Sequence, residues 1–329
     1  MGTIIVTGAA GFIGSHVSRA LRERGDRVIG VDNFDPFYDP AIKRANVDEV
    51  RRSAERLRAP FELVELDLAE AAPTRALFER VRPAGVIHLA AKAGVRPSIA
   101  DPAAYARANV VATAVVLEES RRAGASRVVV ASSSSVYGNA SRVPFTEDDP
   151  VNEPVSPYAA TKRANELQCY THWHLTQMPT ACLRFFTVYG PRQRPDLAIS
   201  TFLGKISRRE DISVFGDGSS SRDYTYIDDI VSGVVASYQR IDQFGYRVWN
   251  LGGSAPVRLD EMLATISRVV GHEPRITRLP MQPGDVLRTW ADPARSAREL
   301  GYSPITGFED GVRMQWEWTK RSRGTPSKV

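Results

Sequence analysis

Between residues 3 and 184, short apolar runs alternate with longer stretches that suit helices. Such alternation is typical of βαβ units, in which a crossover helix joins two parallel strands. The chain is therefore predicted to adopt an α/β fold with a doubly wound parallel sheet. The candidate strands are Thr3–Thr7, Arg27–Asp32, Phe61–Glu65, Gly85–Leu89, Arg127–Ala131 and Thr180–Arg184. The helices between them are placed at Phe12–Arg24, Pro73–Val81, Ala103–Arg122 and Ala159–Trp173.

The pattern changes after about residue 190, where the segments become shorter and are interrupted by Gly and Pro. This change predicts a first domain of residues 1–190 and a smaller C-terminal α/β substrate domain of residues 191–320. We expect the chain to cross back to the first domain and residues 321–329 to form a basic tail. Further helices are placed at Leu197–Ser207, Ile227–Gln239, Leu259–Val270 and Phe308–Thr319.

The composition favours a cytoplasmic protein without membrane contact. The chain has 329 residues, 43% of them hydrophobic, which is enough to bury a substantial core. No apolar run reaches the length of a membrane span, and the first residues lack the features of a signal peptide. Cys169 and Cys182 are the two cysteines, too few for a disulfide framework.

The net charge of +5 does not indicate nucleic-acid binding. Lys320, Arg321, Arg323 and Lys328 lie in the last ten residues, which contain no acid, and the rest of the chain is nearly neutral. A basic end of this kind is typical of a solvated tail. We therefore expect no nucleic-acid partner.

A glycine-rich loop follows the first predicted strand and opens the first predicted helix. It spans Gly8–Gly14 with the sequence GAAGFIG. Glycines at these positions permit a tight turn and let a pyrophosphate approach the backbone at the positive end of the helix. By itself, the loop would also fit a structural corner between a strand and a helix.

Asp32 ends the second predicted strand and gives the glycine loop more weight. A carboxylate at this place can bind the ribose diol of adenosine, whereas it would repel the 2′-phosphate of NADP. The two features together favour NAD as cofactor, bound to a Rossmann-type sheet.

Tyr158 and Lys162 lie four residues apart in a predicted helix and so share one of its faces. An ammonium beside a phenol favours the phenolate, and a positively charged nicotinamide would favour it further. Residues 132–135 are all serine and follow the fifth strand, at the edge of the sheet where ligands gather. A hydroxyl there can hydrogen-bond a reacting oxygen, although a serine-rich turn would have the same sequence.

With these motifs the chain resembles the extended short-chain dehydrogenase/reductase family over essentially its whole length. Further matches are Asp67-Leu68, Asn109, HLAA at 88–91 and SVYG at 135–138. The resemblance implies that Ser133, Tyr158 and Lys162 are catalytic. The residues that it implies for NAD binding are Gly8, Gly11, Phe12, Ile13, Gly14, Asp32, Asn33, Asp67, Leu68, Leu89, Ala90, Ala91, Lys92, Asn109, Tyr158, Lys162, Phe185 and Val188.

Within this family, the chain is most similar to the nucleotide-sugar 4-epimerases, in particular those that act on UDP-glucuronate. The likeness lies in residues 94–96, 184–196 and 216–224. It implies that Thr187 and Arg194 bind a sugar carboxylate, since arginine is a natural bidentate partner for that group; a solvated loop charge is the alternative for Arg194. The residues implied in substrate binding are Arg96, Ser133, Ser134, Ser135, Tyr158, Thr187, Arg194, Val214, Phe215, Arg222, Gln282, Asp285 and Arg288.

The resemblance implies an enzyme that interconverts UDP-glucuronate and UDP-galacturonate through a 4-keto sugar, with NAD reduced transiently. A UDP-glucose or UDP-N-acetylglucosamine 4-epimerase, a UDP-glucuronate decarboxylase and an NAD-binding sensor without turnover stay open as alternatives. A 4,6-dehydratase is disfavoured because Ser134-Ser135 stands where that group has Asp-Glu. The resemblance also implies a homodimer formed through Ala103–Arg122 and Ala159–Trp173.

Two other kinds of site are not predicted. The five histidines are scattered along the chain without the spacing of metal ligands. The sequence also lacks the Gly-x-Ser-x-Gly turn of a serine hydrolase. We therefore predict neither a metal centre nor a hydrolase triad.

Overall fold

The central sheet has seven parallel strands in the described part of the chain. The structure is a computed structural model and describes residues 2–57, 59–139, 142–253, 255–281 and 286–323. The strands, numbered along the chain, are β1 Thr3–Thr7, β2 Arg27–Asp32, β3 Phe61–Glu65, β4 Gly85–His88, β5 Val128–Ser133, β6 Thr180–Phe185, β7 Thr187–Tyr189, β8 Asp211–Phe215, β9 Ser221–Tyr226, β10 Tyr246–Leu251, β11 Pro256–Arg258 and β12 Arg275–Leu279.

The order of the central sheet is β10-β6-β5-β4-β1-β2-β3. All six predicted strands belong to it, close to their predicted bounds. The direction of the connections reverses between β1 and β4, which is the switch point of a doubly wound sheet. The predicted α/β fold of Rossmann type is therefore confirmed.

The seventh strand, β10, is absent from the prediction. It pairs in parallel with β6, with Tyr246 opposite Thr180 and Leu251 opposite Phe185. Trp249 in its middle is fully buried. The chain therefore returns from residues beyond 190 to complete the edge of the first sheet.

Twelve α-helices surround the sheets in the described ranges. They are α1 Phe12–Glu23, α2 Pro40–Leu57, α3 Ala71–Val81, α4 Val95–Ala100, α5 Pro102–Tyr105, α6 Ala112–Arg122, α7 Pro157–Thr176, α8 Ala198–Ser207, α9 Ile227–Arg240, α10 Leu259–Val270, α11 Ala294–Leu300 and α12 Phe308–Arg323. The prediction lacks α2, α4 and α11. In α2 the buried apolar side chains include Val47 and Val50, set among charged residues, so its helical periodicity is weak.

The continuous helix predicted over Ala103–Arg122 is wrong in its middle. A π-helical turn, Ala106–Val111, separates α5 from α6. The backbone carbonyl of Asn109 in this turn accepts hydrogen bonds from the Thr113 hydroxyl, at 2.6 Å, and from the Asn165 side chain, at 2.9 Å. These side-chain donors bond the carbonyl in a widened turn of the kind often found at functional sites.

Neighbouring residues of the central strands face two separate layers of the core. Ile4 and Val6 of β1 pack in a cluster with residues of α1 and α9, whereas Ile5 packs in a cluster with residues of α3, α6 and α7. All three side chains are at most 2% exposed. Because both faces of the strands are covered, the strands are continuous apolar runs instead of alternating ones.

Two small sheets lie apart from the central one. One has the order β11-β9-β7, and the other pairs β8 with β12. Strand β7 begins only one residue after β6 ends, so Phe186 is the point where the chain leaves the central sheet. Helix α12 extends to Arg323 and so includes the first residues of the predicted tail; residues 324–329 lie outside the described ranges. In the ranges above, no helix combines the length and apolar character that crossing a membrane requires.

Candidate active site

A cavity of about 540 Å³ lies where the loops after β1, β2, β4, β5 and β6 meet. Ligands of doubly wound sheets bind at these carboxyl ends of the strands. The predicted site residues that line the cavity are Gly8, Gly11, Phe12, Ile13, Gly14, Asp32, Asn33, Asp67, Leu68, Leu89, Ala90, Ala91, Lys92, Ser133, Ser135, Tyr158, Lys162, Phe185, Thr187, Val188 and Arg194.

The glycine loop leaves no space for side chains where it turns. Gly8 has a φ of +66°, and a Cβ atom there would lie 2.9 Å from the backbone nitrogen of Ala90. A Cβ on Gly14 would lie 2.0 Å from the carbonyl oxygen of Gly8. Helix α1 begins directly after this turn and has no side-chain cap, so its first N–H groups are available to an anion in the cavity.

Asp32 is held rigidly at the end of β2. Its two carboxylate oxygens accept backbone hydrogen bonds, one from Ala10 at 3.1 Å and one from Phe34 at 2.9 Å. Burial raises the pKa of Asp32, while the nearby Lys43 ammonium and the two backbone N–H groups oppose that rise. Lys43 lies 4.0 Å from the carboxylate and lines the same cavity. Sequence reasoning missed Lys43 because α2, the helix that carries it, is absent from the prediction.

The catalytic residues implied by the resemblance come together across the end of the sheet. Ser133 is the last residue of β5, and Tyr158 and Lys162 lie on the first turns of α7. Helix α7 has Ser156 as its N-cap, whose hydroxyl accepts from the Ala159 backbone, and Pro157 as its first residue. The Ser133 hydroxyl also lies 3.1 Å from that of Ser135.

The Lys162 ammonium is anchored to the backbone of β5. Its Nζ donates a 2.8 Å hydrogen bond to the Ala131 carbonyl, and burial lowers the pKa of Lys162 to about 8. Burial raises the pKa of Tyr158, although the Ser133 hydroxyl and the Arg194 guanidinium each favour the phenolate. The protein supplies this hydroxyl and this guanidinium as groups that favour the phenolate, and the role of the Lys162 ammonium in ionising Tyr158 stays a prediction.

Asn109 holds a loop of the cavity in place and does not line the cavity itself. Its side-chain oxygen accepts from the Lys92 backbone nitrogen at 2.8 Å, and its amide donates to the Lys92 carbonyl at 3.0 Å. The same amide donates to the Thr161 hydroxyl of α7 at 2.9 Å. Asn109 thus fixes the loop after β4 to the helix that carries Tyr158 and Lys162.

A buried histidine at the end of β4 joins the end of β1 to α6. The Thr7 hydroxyl accepts from the backbone nitrogens of Leu89 and Ala90, both at 3.1 Å, so its own proton goes to Nδ1 of His88 at 2.7 Å. Nε2 of His88 then donates to the Thr113 hydroxyl at 3.1 Å. Burial lowers the pKa of His88 to about 3, with the Lys162 ammonium acting in the same direction, so the ring stays neutral.

Arg194 projects into the cavity from the segment after β7. Its guanidinium makes two hydrogen bonds to the Asp196 carboxylate, Nε to Oδ1 at 3.0 Å and Nη2 to Oδ2 at 2.7 Å. It lies 4.8 Å above the centre of the Phe37 ring and 3.4 Å from the Ala93 carbonyl. Thr187, the first residue of β7, lines the same cavity.

Residues 4–252 match the model of the NAD dependent epimerase/dehydratase family. The chain belongs to this family. The UDP-glucuronate 4-epimerase of Thermodesulfobacterium geofontis is 38% identical over 323 residues, which cover 98% of this chain and 97% of the relative. UDP-glucuronate 4-epimerase 3 of Arabidopsis thaliana is 40% identical over 333 residues, 96% of this chain and 76% of the relative.

Solved structures agree with this epimerase/dehydratase assignment. The UDP-glucuronic acid 4-epimerase of Bacillus cereus, crystallised with UDP-glucuronic acid and NAD, superimposes with a TM-score of 0.89 at 32% identity. The match covers 97% of this chain and 99% of that one. The protein is therefore an NAD-dependent enzyme of the epimerase type.

The cavity of this epimerase/dehydratase family member fits the dinucleotide that the family uses. The turn at Gly8, which has no room for a Cβ atom, and the uncapped start of α1 suit a pyrophosphate. The Asp32 carboxylate suits a ribose diol. The glycine loop, the Asp32 carboxylate and the Tyr158/Lys162 pair all line this one cavity.

Several predicted substrate residues lie away from this cavity. The Val214 side chain is buried in the core, because alternate residues of β8 face inward, and its contact with substrate stays a prediction. Arg96 lies 4.5 Å above the centre of the Phe215 ring. Ser134, Arg222 and Arg288 do not line the cavity either. Gln282 and Asp285 lie outside the described residues.

Metal ligands do not cluster in the described residues. No three His, Cys, Asp or Glu side chains among them lie close enough together to hold a metal ion. Cys169 and Cys182 are both buried free thiols. Among the described residues, neither a cluster of metal-ligating side chains nor these two thiols therefore provides a second candidate site besides the cavity.

Proposed function

We propose that this protein is a UDP-glucuronate 4-epimerase that interconverts UDP-glucuronate and UDP-galacturonate. The observation that carries the proposal is the position of Arg194, a mostly buried cation that lines the same cavity as Ser133, Tyr158 and Lys162. A guanidinium at this place can receive the sugar carboxylate while the catalytic groups act on the sugar. Thr187 adds a hydroxyl to the same cavity.

The cofactor half of the cavity is assigned to the glycine loop and Asp32. The start of α1 would hold the pyrophosphate of NAD, and the Asp32 carboxylate would bind the adenosine ribose. The other residues that the sequence resemblance implies for NAD binding keep that role in this proposal. NAD, when bound, supplies a reversible hydride acceptor for sugar C4 and a positive charge that favours the Tyr158 phenolate.

Tyr158 is assigned the proton transfer at the sugar 4-hydroxyl. As a phenolate it would take the hydroxyl proton, and as a phenol it would return it after the 4-keto sugar has turned in the site. The Ser133 hydroxyl would bind the same sugar oxygen. Lys162, anchored to the Ala131 carbonyl, would use its remaining N–H groups for the cofactor ribose.

The UDP half of the substrate is assigned to residues of the second domain. Arg222 and Arg288 come close to each other there, since Ser221 and Arg288 form a β-bridge. The predicted substrate roles are kept in this proposal for Arg96, Ser134, Ser135, Phe215, Arg222, Gln282, Asp285 and Arg288. An anchor in the second domain would hold UDP while the sugar rotates.

A neutral-sugar 4-epimerase is the second candidate, and one observation favours it. The Arg194 guanidinium already has a carboxylate partner in Asp196, so the pair as a whole carries no net charge. A cavity with this pair could receive UDP-glucose without leaving a buried cation unpaired.

Incubation of the purified protein with UDP-glucuronate, followed by separation of the sugar nucleotides, tests the proposal. UDP-galacturonate as the product supports it, whereas a UDP-pentose would indicate a decarboxylase. Conversion of UDP-glucose alone would establish the second candidate. In the Arg194→Ala variant, turnover of UDP-glucuronate should fall by roughly 10 to 150 fold, the value of a charge-assisted hydrogen bond, while UDP-glucose is unaffected.

We further propose that the enzyme is a cytoplasmic homodimer. Helix α7 and the π-helical turn before α6 expose Val111, Leu167 and Tyr170, each 47% to 53% exposed. Apolar side chains of this size on neighbouring helices suit a helix-to-helix contact between subunits. The two buried free thiols suit a reducing compartment.

A further inference from the structure

We propose that Asp196 sets the sugar specificity of the site by competing with a substrate carboxylate for Arg194. This inference rests on the proposed function, since it describes how the site receives a uronate. Asp196 is not among the residues implied by the sequence. It lies two positions after Arg194 and lines the same cavity.

The guanidinium of Arg194 faces protein acceptors along two edges. The edge formed by Nε and Nη2 is engaged by both oxygens of Asp196, at 3.0 and 2.7 Å. The edge formed by Nη1 and Nη2 faces the Ala93 carbonyl, at 3.4 Å from each nitrogen. The Phe37 ring covers one face. A sugar carboxylate therefore meets an arginine whose paired donors are already in use.

The contact with Asp196 is the one that an incoming carboxylate can replace. The Asp196 side chain is 43% exposed, so its carboxylate can return to water when it leaves Arg194, whose own side chain is only 15% exposed. The Ala93 carbonyl belongs to the backbone, and Tyr105 also donates to it at 3.1 Å. Two carboxylates sharing one guanidinium would repel each other, so the bound uronate displaces Asp196.

This exchange affects the two kinds of sugar differently. A uronate carboxylate takes the place of Asp196, and the cost of releasing Asp196 lowers its net affinity. A sugar with a neutral hydroxymethyl group leaves the Arg194 to Asp196 pair intact and bears no such cost. Asp196 therefore holds Arg194 in position when the sugar is neutral and weakens the discrimination in favour of the uronate.

The second domain offers a matched control for the same chemistry. Arg258 and Asp260 form a pair with the same spacing and the same two contacts, Nε to Oδ1 at 3.0 Å and Nη2 to Oδ2 at 2.8 Å. Both side chains are about half exposed, and neither lines the cavity. Asp260→Asn removes an equivalent charge from an equivalent pair.

The test is calorimetric binding of UDP-glucuronate and of UDP-glucose to NAD-loaded protein in the Tyr158→Phe background, which prevents turnover. Asp196→Asn keeps the size of the side chain and one acceptor oxygen but removes the charge. We expect it to tighten UDP-glucuronate about tenfold and to change UDP-glucose less than about twofold, as suits one partly exposed charged contact. Asp260→Asn should leave both affinities unchanged.

The other outcomes overturn the proposal. If Asp196→Asn tightens the binding of both ligands equally, the Asp196 charge acts on the shared UDP group and not on the sugar. If it weakens UDP-glucuronate or leaves the ratio of the two affinities unchanged, Asp196 only supports Arg194. The turnover assay of the parent protein tests the proposed function separately. If the parent epimerises UDP-glucuronate while Asp196→Asn leaves the ratio of the two affinities unchanged, the proposed function stands and only this proposal fails.

Discussion

Glu166 and Arg184 form a buried bidentate ion pair beside the catalytic residues. Arg184 Nε lies 2.8 Å from Oε1 of Glu166 and Nη2 lies 2.9 Å from Oε2, with both side chains at most 2% exposed. The Ser132 hydroxyl donates to the same carboxylate at 2.7 Å. One carboxylate on α7 therefore fixes this helix to the ends of β5 and β6, which places Ser133 opposite Tyr158.

Glu166→Gln should destabilise the fold strongly. A glutamine is neutral and can accept from the guanidinium with only one of its two terminal atoms, so a buried arginine charge is left uncompensated, at a cost of about 3 to 5 kcal/mol. Urea unfolding measures this loss. Glu317→Gln, which removes an exposed pair with Lys320 on α12, should cost less than about 1 kcal/mol. Equal losses in the two variants would contradict the structural role of Glu166.

The same pair makes stability depend on pH in the acidic range. Burial by itself would raise the pKa of Glu166, but the hydrogen bonds and charge of Arg184 hold it below its ordinary value. The stabilisation is therefore complete above that ordinary value and is lost as the pH falls through the lower, folded value.

Tyr158→Phe should abolish turnover while the fold and NAD binding are retained. The substitution removes only the ionisable oxygen, and loss of a positioned base costs on the order of 10² to 10⁴ fold in rate. The conversion assay measures turnover, and circular dichroism checks the fold. Tyr238→Phe on α9 is the control, since its ring lies outside the cavity. Parent-like turnover in the Tyr158→Phe variant would refute the assignment of Tyr158 as the base.

Asp32→Asn should reduce the preference of the protein for NAD over NADP. The parent carboxylate repels a 2′-phosphate and accepts from a ribose diol, so we expect roughly 10 to 150 fold tighter binding of NAD. Calorimetry with both dinucleotides measures the ratio. Asp26→Asn, next to Arg24 before β2, should leave the ratio unchanged. Tighter binding of NADP to the parent would remove Asp32 from the ribose site.

Lys162 should make the folded protein more stable as the pH rises above 8. Its folded pKa of about 8 lies below the ordinary value of 10.5, so between these values the unfolded chain binds a proton that the folded chain has released. The free energy of unfolding of the parent, relative to Lys162→Met, should rise by about 3 kcal/mol across this range. Urea unfolding of both proteins at several pH values measures it, and a constant difference would contradict the shift.

Leu167→Glu should convert the proposed dimer into monomers. The side chain is 53% exposed on α7, and a charge at the centre of an apolar contact between subunits would be left without a partner. Light scattering after size-exclusion chromatography gives the mass. Leu175→Glu, also exposed but near the end of α7, is expected to act more weakly. A parent that elutes as a monomer would rule out the interface.

The sequence was sufficient to locate the cofactor half of the cavity because its signals are local. The glycine loop, Asp32 and the Tyr158/Lys162 spacing each depend on a few neighbouring residues and on the strand or helix that carries them. The six predicted strands were found for the same reason: each is a short run composed mainly of apolar residues.

Features that depend on distant residues could not be predicted. The pairing of β10 with β6 joins segments more than 60 residues apart, and its strand has polar residues in place of a continuous apolar run. The π-helical turn exists because Asn165 and Thr113 bond the Asn109 carbonyl. The pairing of Arg194 with Asp196 competes with the predicted ligand, and no sequence pattern indicates which partner prevails.

The position of β10 also governs how the chain can fold during synthesis. Until residues 246–251 leave the ribosome, β6 is a bare sheet edge whose backbone N–H and carbonyl groups lack the partner strand they have in the finished protein. The nascent first domain therefore passes through an interval in which it can pair with other chains. For the same reason, a gene fragment that stops at residue 190 would encode an incomplete central sheet.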